Sequence, residues 1–408
     1  MPIMRKEFAV EMQAVKITSQ TMDGTMLRFK RWTLLLALLL FAACSKDSST
    51  NPEQIDPVAA RLAELDTRIR FRVSADGLPS LAACIIKADS IVWQNYYGFV
   101  DAAKTTAPTA ETVYYLASIS KTVTATAIMQ LWERGLLDLD ADINGYLPFT
   151  LRNPNFPDTP ITTRHLLTHR SGLAWPNGED PNFYRTYPGA TAPPLGEWLR
   201  EYLRPEGALY VAAMWKNTQP GRFVQYSNAG GALLGYIVEA ITGQDFAEYC
   251  RVNIFAPLGM TNTGFRVDQF ESQQDFAPVH TSLNNVTQPY SVTFYPATTV
   301  LSSIADFSHF SAAILNGGSY NGQRILAEAT VTEMLSLQVV SAGLAHIWWA
   351  QGDNYMGHTG SFVGVSSSMD VNRATKTGVI IFTNIGNKST VWPGGDIYSL
   401  LHEEAKNY

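Results

Sequence analysis

Apolar positions recur at helical spacing after Asp56-Pro57, at Val58, Leu62, Leu65 and Ile69, and the pattern stops at Gly77. An N-cap aspartate, a proline at the first helical position and a closing glycine predict an amphipathic helix. Two β-like runs follow, "SLAACIIKA" and "SIVWQNYYGFV", joined at Asp89-Ser90, which predicts a hairpin. From residue 118 to about 335 the pattern is mostly helical with long loops. Strand patterns return in "AHIWWAQ", "VGVSSSMDV" and "TGVIIFTN", with Asn372-Arg373 as a turn. A last helix reads in "DIYSLLHEEAK", after Pro393-Gly394-Gly395. Strands at both ends with helices between predict an α/β fold of the α+β type. Its antiparallel sheet is built from both chain ends and flanked by helices, with a mostly helical subdomain inserted.

The N-terminus reads differently. Arg28, Lys30 and Arg31 precede an apolar run, Leu34 to Ala43, that ends in "LLLFAAC" at Cys44. A positive region, a short apolar core and small residues before a cysteine read as an export signal. The run falls far short of the roughly 20 residues that span a bilayer. Ala42-Ala43 before Cys44 looks like a bacterial lipobox, which implies cleavage there and lipidation of Cys44; Phe41 stands where leucine is usual. The polar stretch "SKDSSTNPEQIDP" after it reads as a flexible tether. The organisation expected is a signal segment at 1–44, a tether at 45–56 and one catalytic domain at 57–408 in two lobes. The expected place is the periplasmic face of a bacterial membrane, held by the lipid alone.

Composition sharpens this picture. The chain has 408 residues, 46% hydrophobic and 16% charged, enough for a large core. By length alone, two or three domains would fit. A net charge of -6, with no basic stripe, excludes a nucleic-acid surface. Cys84 lies in an apolar run and Cys250 in the helical stretch "DFAEYC". An exported protein could pair them; two buried free thiols are the plainer reading.

Three short patterns carry candidate chemistry. "ASISKTVTATAIMQ" puts Ser118 and Lys121 one helical turn apart at the head of an apolar run. A helix N-terminus favours negative charge on Ser118 and, with burial, depresses the lysine's proton affinity. The same pair also fits an N-capping serine with a solvated lysine. In "QPGRFVQYSNAGGALLGYIVEAITG", Tyr226 and Asn228 fall in a loop at the lip of a packed helix. A phenol can carry a proton and a carboxamide can orient a lysine or a substrate amide, although an asparagine there also suits a helix cap. In "MGHTGSFVGVSSSMDV", His358, Thr359, Gly360 and Ser361 fall on a strand edge, where glycines permit close backbone approach.

In this order the three resemble the serine β-lactamase and penicillin-binding-protein family, in its class C and DD-peptidase-like branch. "PITTRHLLTHRSGL", "IFAPLGMTNTGF" and "PATTVLSSIADFSHF…LNGG" also look like that family's connecting segments. The resemblance implies a β-lactamase/transpeptidase-like fold, with Lys121 activating Ser118 as nucleophile. It further implies that Tyr226 protonates the leaving group and then activates water, and that Asn228 orients Lys121 and the acyl amide. The backbone N–H groups of Ser118 and Ser361 would form the oxyanion hole, with His358, Thr359 and Gly360 along the substrate. The departure is His358, where β-lactamases usually carry lysine. Its imidazolium is one candidate for a substrate carboxylate, and a neutral hydrogen-bonding role for it is the alternative.

Other signals yield less. His165 and His169 stand at i and i+4 in "HLLTH", but no glutamate follows His165 and no third ligand is near. They read as a structural helix end before Ser171-Gly172 and not as a metal pair. The stretch from Trp175 to Trp215 reads as long loops around the acyl pocket or on the surface. The function expected is an exported serine hydrolase acting through an acyl-enzyme on amides, D-peptides or small esters. The alternatives are a class C-type β-lactamase and a catalytically idle lipoprotein that binds cell-wall fragments. No metal or cofactor is expected, the partner is a small-molecule or peptide substrate, and a monomer is expected.

Overall fold

The computed structural model describes residues 56–101, 103–174, 183–189 and 191–408. The signal, the lipobox at Cys44 and most of the tether lie outside the described residues. Residues 56–408 form one compact unit.

The first helix, α1 (Pro57–Ala75), starts where its cap predicts: Asp56 accepts from the Val58 N–H at 2.9 Å. The hairpin strands are β1 (Ser80–Lys87) and β2 (Ser90–Gly98), and the turn falls on Ala88-Asp89, with Ser90 already paired to Lys87. Helices α2 (Ser120–Glu133), α3 (Asn228–Thr242) and α4 (Ile304–Leu315) supply the middle of the chain. Strands β3 (Trp349–Ala350), β4 (Met356–Phe362), β5 (Val365–Asn372) and β6 (Thr377–Thr383) precede α5 (Asp396–Ala405).

The six strands make one antiparallel sheet in the order β3-β4-β5-β6-β1-β2. Its two halves join where β1 pairs β6, Ile85 opposite Val379. The sheet built from both chain ends is therefore present as expected. β1 is an unbroken apolar run because both of its faces are covered. Leu81, Ala83 and Ile85 pack with Leu65 and Ile69 of α1 and Leu401 of α5, while Ala82, Cys84 and Ile86 face the larger core. Cys84 and Cys250 are both buried free thiols.

α2 is buried almost all round. Its hydroxyls would be costly there, yet they bond within the protein. Thr122 and Thr126 donate to carbonyls one turn back, at 2.8 and 2.9 Å, and Thr124 donates to Pro296 O at 2.6 Å.

Three details differ from the sequence reading. "AHIWWAQ" yields only the two-residue β3, because Ala345 N–H bonds to Trp348 O and Ile347 takes a left-handed φ of 73°, closing a tight turn. The middle region also holds strands of two or three residues, such as Val113–Tyr115 against Leu301–Ser303, too short for an alternation to show. Inside the expected loop from Trp175 to Trp215 lies a helix, Leu195–Leu203, with Leu195, Trp198, Leu199, Tyr202 and Leu203 on its buried face. Its helical period was there to read.

Ile69 is fully buried between α1 and the sheet. Ile69→Ala should lower unfolding free energy by about 2–5 kcal/mol through lost burial and a residual cavity, read as a lower urea midpoint. A change under about 0.5 kcal/mol would mean that α1 is not docked on the sheet.

Candidate active site

Ser118 lies in a 3-10 turn, Ala117–Ile119, that leads into α2. It does not cap the helix: no side chain caps α2, and Ile119 occupies the N-cap position. The hydroxyl is thus left for Lys121, whose Nζ is 3.0 Å from Ser118 Oγ. The turn is strained, with Ala117 at φ 48°, a backbone region that costs a non-glycine residue on the order of 1 kcal/mol or more. Neighbours hold it in place. Leu116 N–H bonds to Val300 O at 2.8 Å, Ser367 Oγ donates to Leu116 O at 2.8 Å, and Ser120 Oγ both donates to Ala117 O and accepts from Val300 N–H.

Lys121 is completely buried, not solvated. Its Nζ donates to Ala297 O at 2.7 Å and lies 4.9 Å from the centre of the Tyr226 ring. Among the described residues no carboxylate pairs with it. Burial therefore drives its pKa well below the usual lysine value, because nothing offsets the lost hydration of the ammonium. Gly231 of α3 leaves the room required, since a Cβ there would stand 3.2 Å from Lys121 Cε.

Tyr226 comes from the chain entering α3. Burial raises its pKa, and a hydrogen bond with Ser118 only partly offsets this, so the phenol keeps its proton at neutral pH. Ser227 is the N-cap of α3, its Oγ accepting from Gly230 N–H at 3.0 Å. Asn228 is thereby freed from the capping role. It is buried, and its Oδ1 has no partner among the described residues.

His358, Thr359, Gly360 and Ser361 lie on β4, whose pairing with β3 ends at Gly357. From His358 onward that edge is open to the cleft. Gly360 packs onto the turn that carries Ser118: a Cβ at this position would come within 2.3 Å of Leu116 O and 2.2 Å of Ser367 Oγ. That contact brings Ser118 and Ser361 to one cleft of about 500 Å³, lined also by Tyr226, His358, Thr359, Trp349, Gln351 and Trp392. A second cavity of about 620 Å³ lies around Tyr236, Glu239 and Arg266 and contains neither Ser118 nor Lys121.

His358 is 4% exposed, and its Nδ1 is 2.6 Å from Thr359 O. The carbonyl can only accept, so Nδ1 carries the proton and Nε2 presents a lone pair. Burial above all lowers its pKa, to about 3. The geometry and burial favour the neutral hydrogen-bonding role for His358, one of the two that the sequence leaves open.

His169 is the residue that sequence reasoning missed. His165 is the structural helix end expected, its Nδ1 accepting from Thr162 N–H in a capping box. His169 instead lies under Tyr226, with ring centres 4.5 Å apart. Its Nδ1 accepts from Ser227 N–H at 3.3 Å and its carbonyl from Gln225 N–H at 2.6 Å, so it clamps both sides of the tyrosine. No local pattern marks one histidine of "HLLTH" for the site. Trp349 and Trp392 were missed for the same reason. Among the described residues no three His, Cys, Asp or Glu side chains gather to hold a metal.

A sheet made from both chain ends, beside a helical region that brings a Ser-x-x-Lys turn to its edge strand, is a β-lactamase/transpeptidase-like fold. A family model described as Beta-lactamase matches residues 61–401, and the chain belongs to that family. Protein flp of Staphylococcus aureus (strain MRSA252) is 24% identical over 333 residues, covering 80% of this chain. The chain matches only 63% of that relative's length. Among solved structures, EstCE1, described as a hydrolase with promiscuous acyltransferase activity, superposes with a TM-score of 0.68 at 18% identity, over 85% of this chain and 98% of its own. The D-amino acid amidase of Ochrobactrum anthropi SV3 gives 0.65 at 21% identity, over 84% and 99%. These two likenesses are to the fold alone.

Two measurements check the site. With a pKa near 3, His358 should show no imidazole titration by NMR between pH 5 and 8.5. The unfolded chain binds a proton below about pH 6.5 and the folded site does not, so this group's contribution to stability is lost as pH falls from about 6.5 toward 3. A His358 midpoint near 6.5 would refute the neutral assignment. Gly360→Ala should cost about 1–3 kcal/mol through overpacking against Leu116, read by urea unfolding, and unchanged stability would refute the close contact.

Proposed function

We propose that this chain is a serine hydrolase that works through an acyl-enzyme on amide, D-peptide or small ester substrates. The observation that carries the reading is Lys121, buried without a counter-ion among the described residues and 3.0 Å from Ser118 Oγ. A lysine so placed is a neutral amine, and its lone pair can take the hydroxyl proton as Oγ attacks the acyl carbon. Charge developing on the acyl oxygen meets the backbone N–H groups of Ser118 and Ser361, which supply the stabilisation that acyl transfer requires. Tyr226, still protonated, gives its proton to the leaving group as the acyl bond breaks. The resulting phenolate is strongly basic because it is buried, and the Lys121 ammonium 4.9 Å from its ring steadies it. It takes a proton from water as water attacks the acyl-enzyme. Lys121 then returns the first proton to Ser118 Oγ, and every proton is accounted for.

The carboxamide of Asn228, at the head of α3, is the group for the substrate's acyl amide. Export and anchoring through Cys44 belong to the same proposal and rest on the pattern from Arg28 to Cys44.

Ser118→Ala should abolish labelling by a fluorescent phosphonate and cut turnover by on the order of 10⁴-fold or more. Lys121→Met should slow acylation by about 10²–10⁴-fold, the range for a general base, with its circular dichroism spectrum unchanged. Tyr226→Phe should slow both acylation and deacylation in single-turnover experiments. Full labelling of the Ser118→Ala protein would sink the proposal, and a Tyr226→Phe enzyme with unchanged rates would remove the tyrosine from it.

A further inference from the structure

We propose that His169 is the positioning residue for Tyr226, aiming its phenol at the departing group by holding the backbone on either side of it. This rests on the hydrolase reading above and names what sets the direction of its proton donor.

Tyr226 stands between two anchored neighbours. Gln225 N–H bonds to His169 O at 2.6 Å, and Ser227 N–H bonds to His169 Nδ1 at 3.3 Å. With both flanking residues tied to His169, the direction of the Tyr226 Cα–Cβ bond is set, and two side-chain torsions remain. The imidazole, its ring centre 4.5 Å from that of the phenol, limits these torsions. Lys121 Nζ at 4.9 Å and the His358 ring at 6.1 Å limit them further. The imidazole also lies 6.3 Å from the Trp349 ring and within 21° of parallel to it. Trp349 in turn lines the cleft that holds Ser118 and Tyr226.

These contacts ask for an imidazole and not merely for bulk. An N–H can bond to Nδ1 only where that nitrogen carries a lone pair, so His169 is neutral with its proton on Nε2. Burial above all, with Lys121 and His358 near, holds its pKa well below the ordinary histidine value, and the acceptor persists at neutral pH. Nε2 is buried and has no partner among the described residues, a cost that an apolar side chain of similar size would avoid. What offsets that cost is the bond to Ser227 N–H. The backbone is also unusual, with His169 at φ 51°. Residues with a Cβ rarely adopt that region, and histidine and asparagine are among those that tolerate it best. Bonds from His169 N–H to Leu166 O at 3.1 Å and from Arg170 N–H to His165 O at 2.7 Å hold it there. Strain of this kind persists only where the surroundings impose it, and it gathers at functional sites.

The test uses the full chain and two phosphonates that share one phosphonyl group and leave either 4-nitrophenoxide or trifluoroethoxide. With each, Ser118 Oγ bonds to phosphorus as the leaving oxygen departs, and Lys121 takes the serine proton. The nitrophenoxide leaves without a proton, whereas the far more basic alkoxide takes one from Tyr226. His169→Phe keeps a ring and loses the acceptor. It should slow the alkoxide reagent by about tenfold or more, and the nitrophenoxide reagent by less than about threefold, because only the first draws on a placed proton donor. His169→Gln, whose acceptor sits one bond farther out, should show the same split and serves if the phenylalanine variant does not fold. His169→Asn keeps an acceptor and suits the left-handed backbone, so its alkoxide rate should stay within about threefold of the unmodified protein. Tyr226→Phe should show the split too, and adding His169→Phe to it should slow neither reagent further, since residues that act as a unit are not additive. Equal slowing of both reagents by the His169 variants, no slowing at all, or a further loss in the double variant overturns the inference and leaves the hydrolase reading standing. If Tyr226→Phe shows no split, the tyrosine step of that reading fails. If intact-mass analysis finds no adduct at Ser118 from either reagent, the whole reading fails, and in both cases the inference falls with it.

Discussion

A lysine, Lys121, sealed inside the protein with no acid paired to it among the described residues is the constraint on which the rest of the site depends. Burying an ammonium unpaired would cost several kcal/mol, so the group gives up its proton instead. The surrounding structure serves that outcome. α2 is buried around most of its circumference, Gly231 lets α3 close over the lysine's stem, and Ala297 O fixes the nitrogen's direction at 2.7 Å. Each of these contacts keeps water out. Water would restore the charge on the amine.

The second dependence is positional. Ser118 belongs to the helical region and β4 to the sheet, and the two meet where Gly360 lies against the Leu116 carbonyl and the Ala117 Cβ. Close approach of this kind is available only to glycine. The left-handed Ala117 next to Ser118 shows strain tolerated at that junction, held by Ser120, Val300 and Ser367. Packing from a distance therefore sets the direction of the serine's hydroxyl.

Charge assignment follows from the same dryness. Tyr226 stays a phenol and His358 stays neutral, both because ions are poorly solvated there. His169 grips the backbone on both sides of Tyr226, through Ser227 N–H and Gln225 N–H. The site is thus built from groups that are neutral at rest and become charged only as protons move. This arrangement suits acyl transfer, in which charge must appear in the transition state.

The sequence by itself determined the local order: the capped first helix, the hairpin, the strands that return at the end and the fold class they imply. Periodicity and caps are short-range properties, and they survive in the folded chain at α1, β1, β2, β5 and β6. It also determined that Ser118 and Lys121 share a helical turn, since a spacing of three residues needs no tertiary information. Tertiary structure decided everything that depends on burial or on meeting across the chain. It made Ser227 and not Asn228 the cap, placed His169 beneath Tyr226 while leaving its neighbour His165 at a helix end, and spent the N–H of His358 on Thr359 O. Protonation state depends on solvent exclusion, and residues more than 200 positions apart create that exclusion together. No local pattern records it.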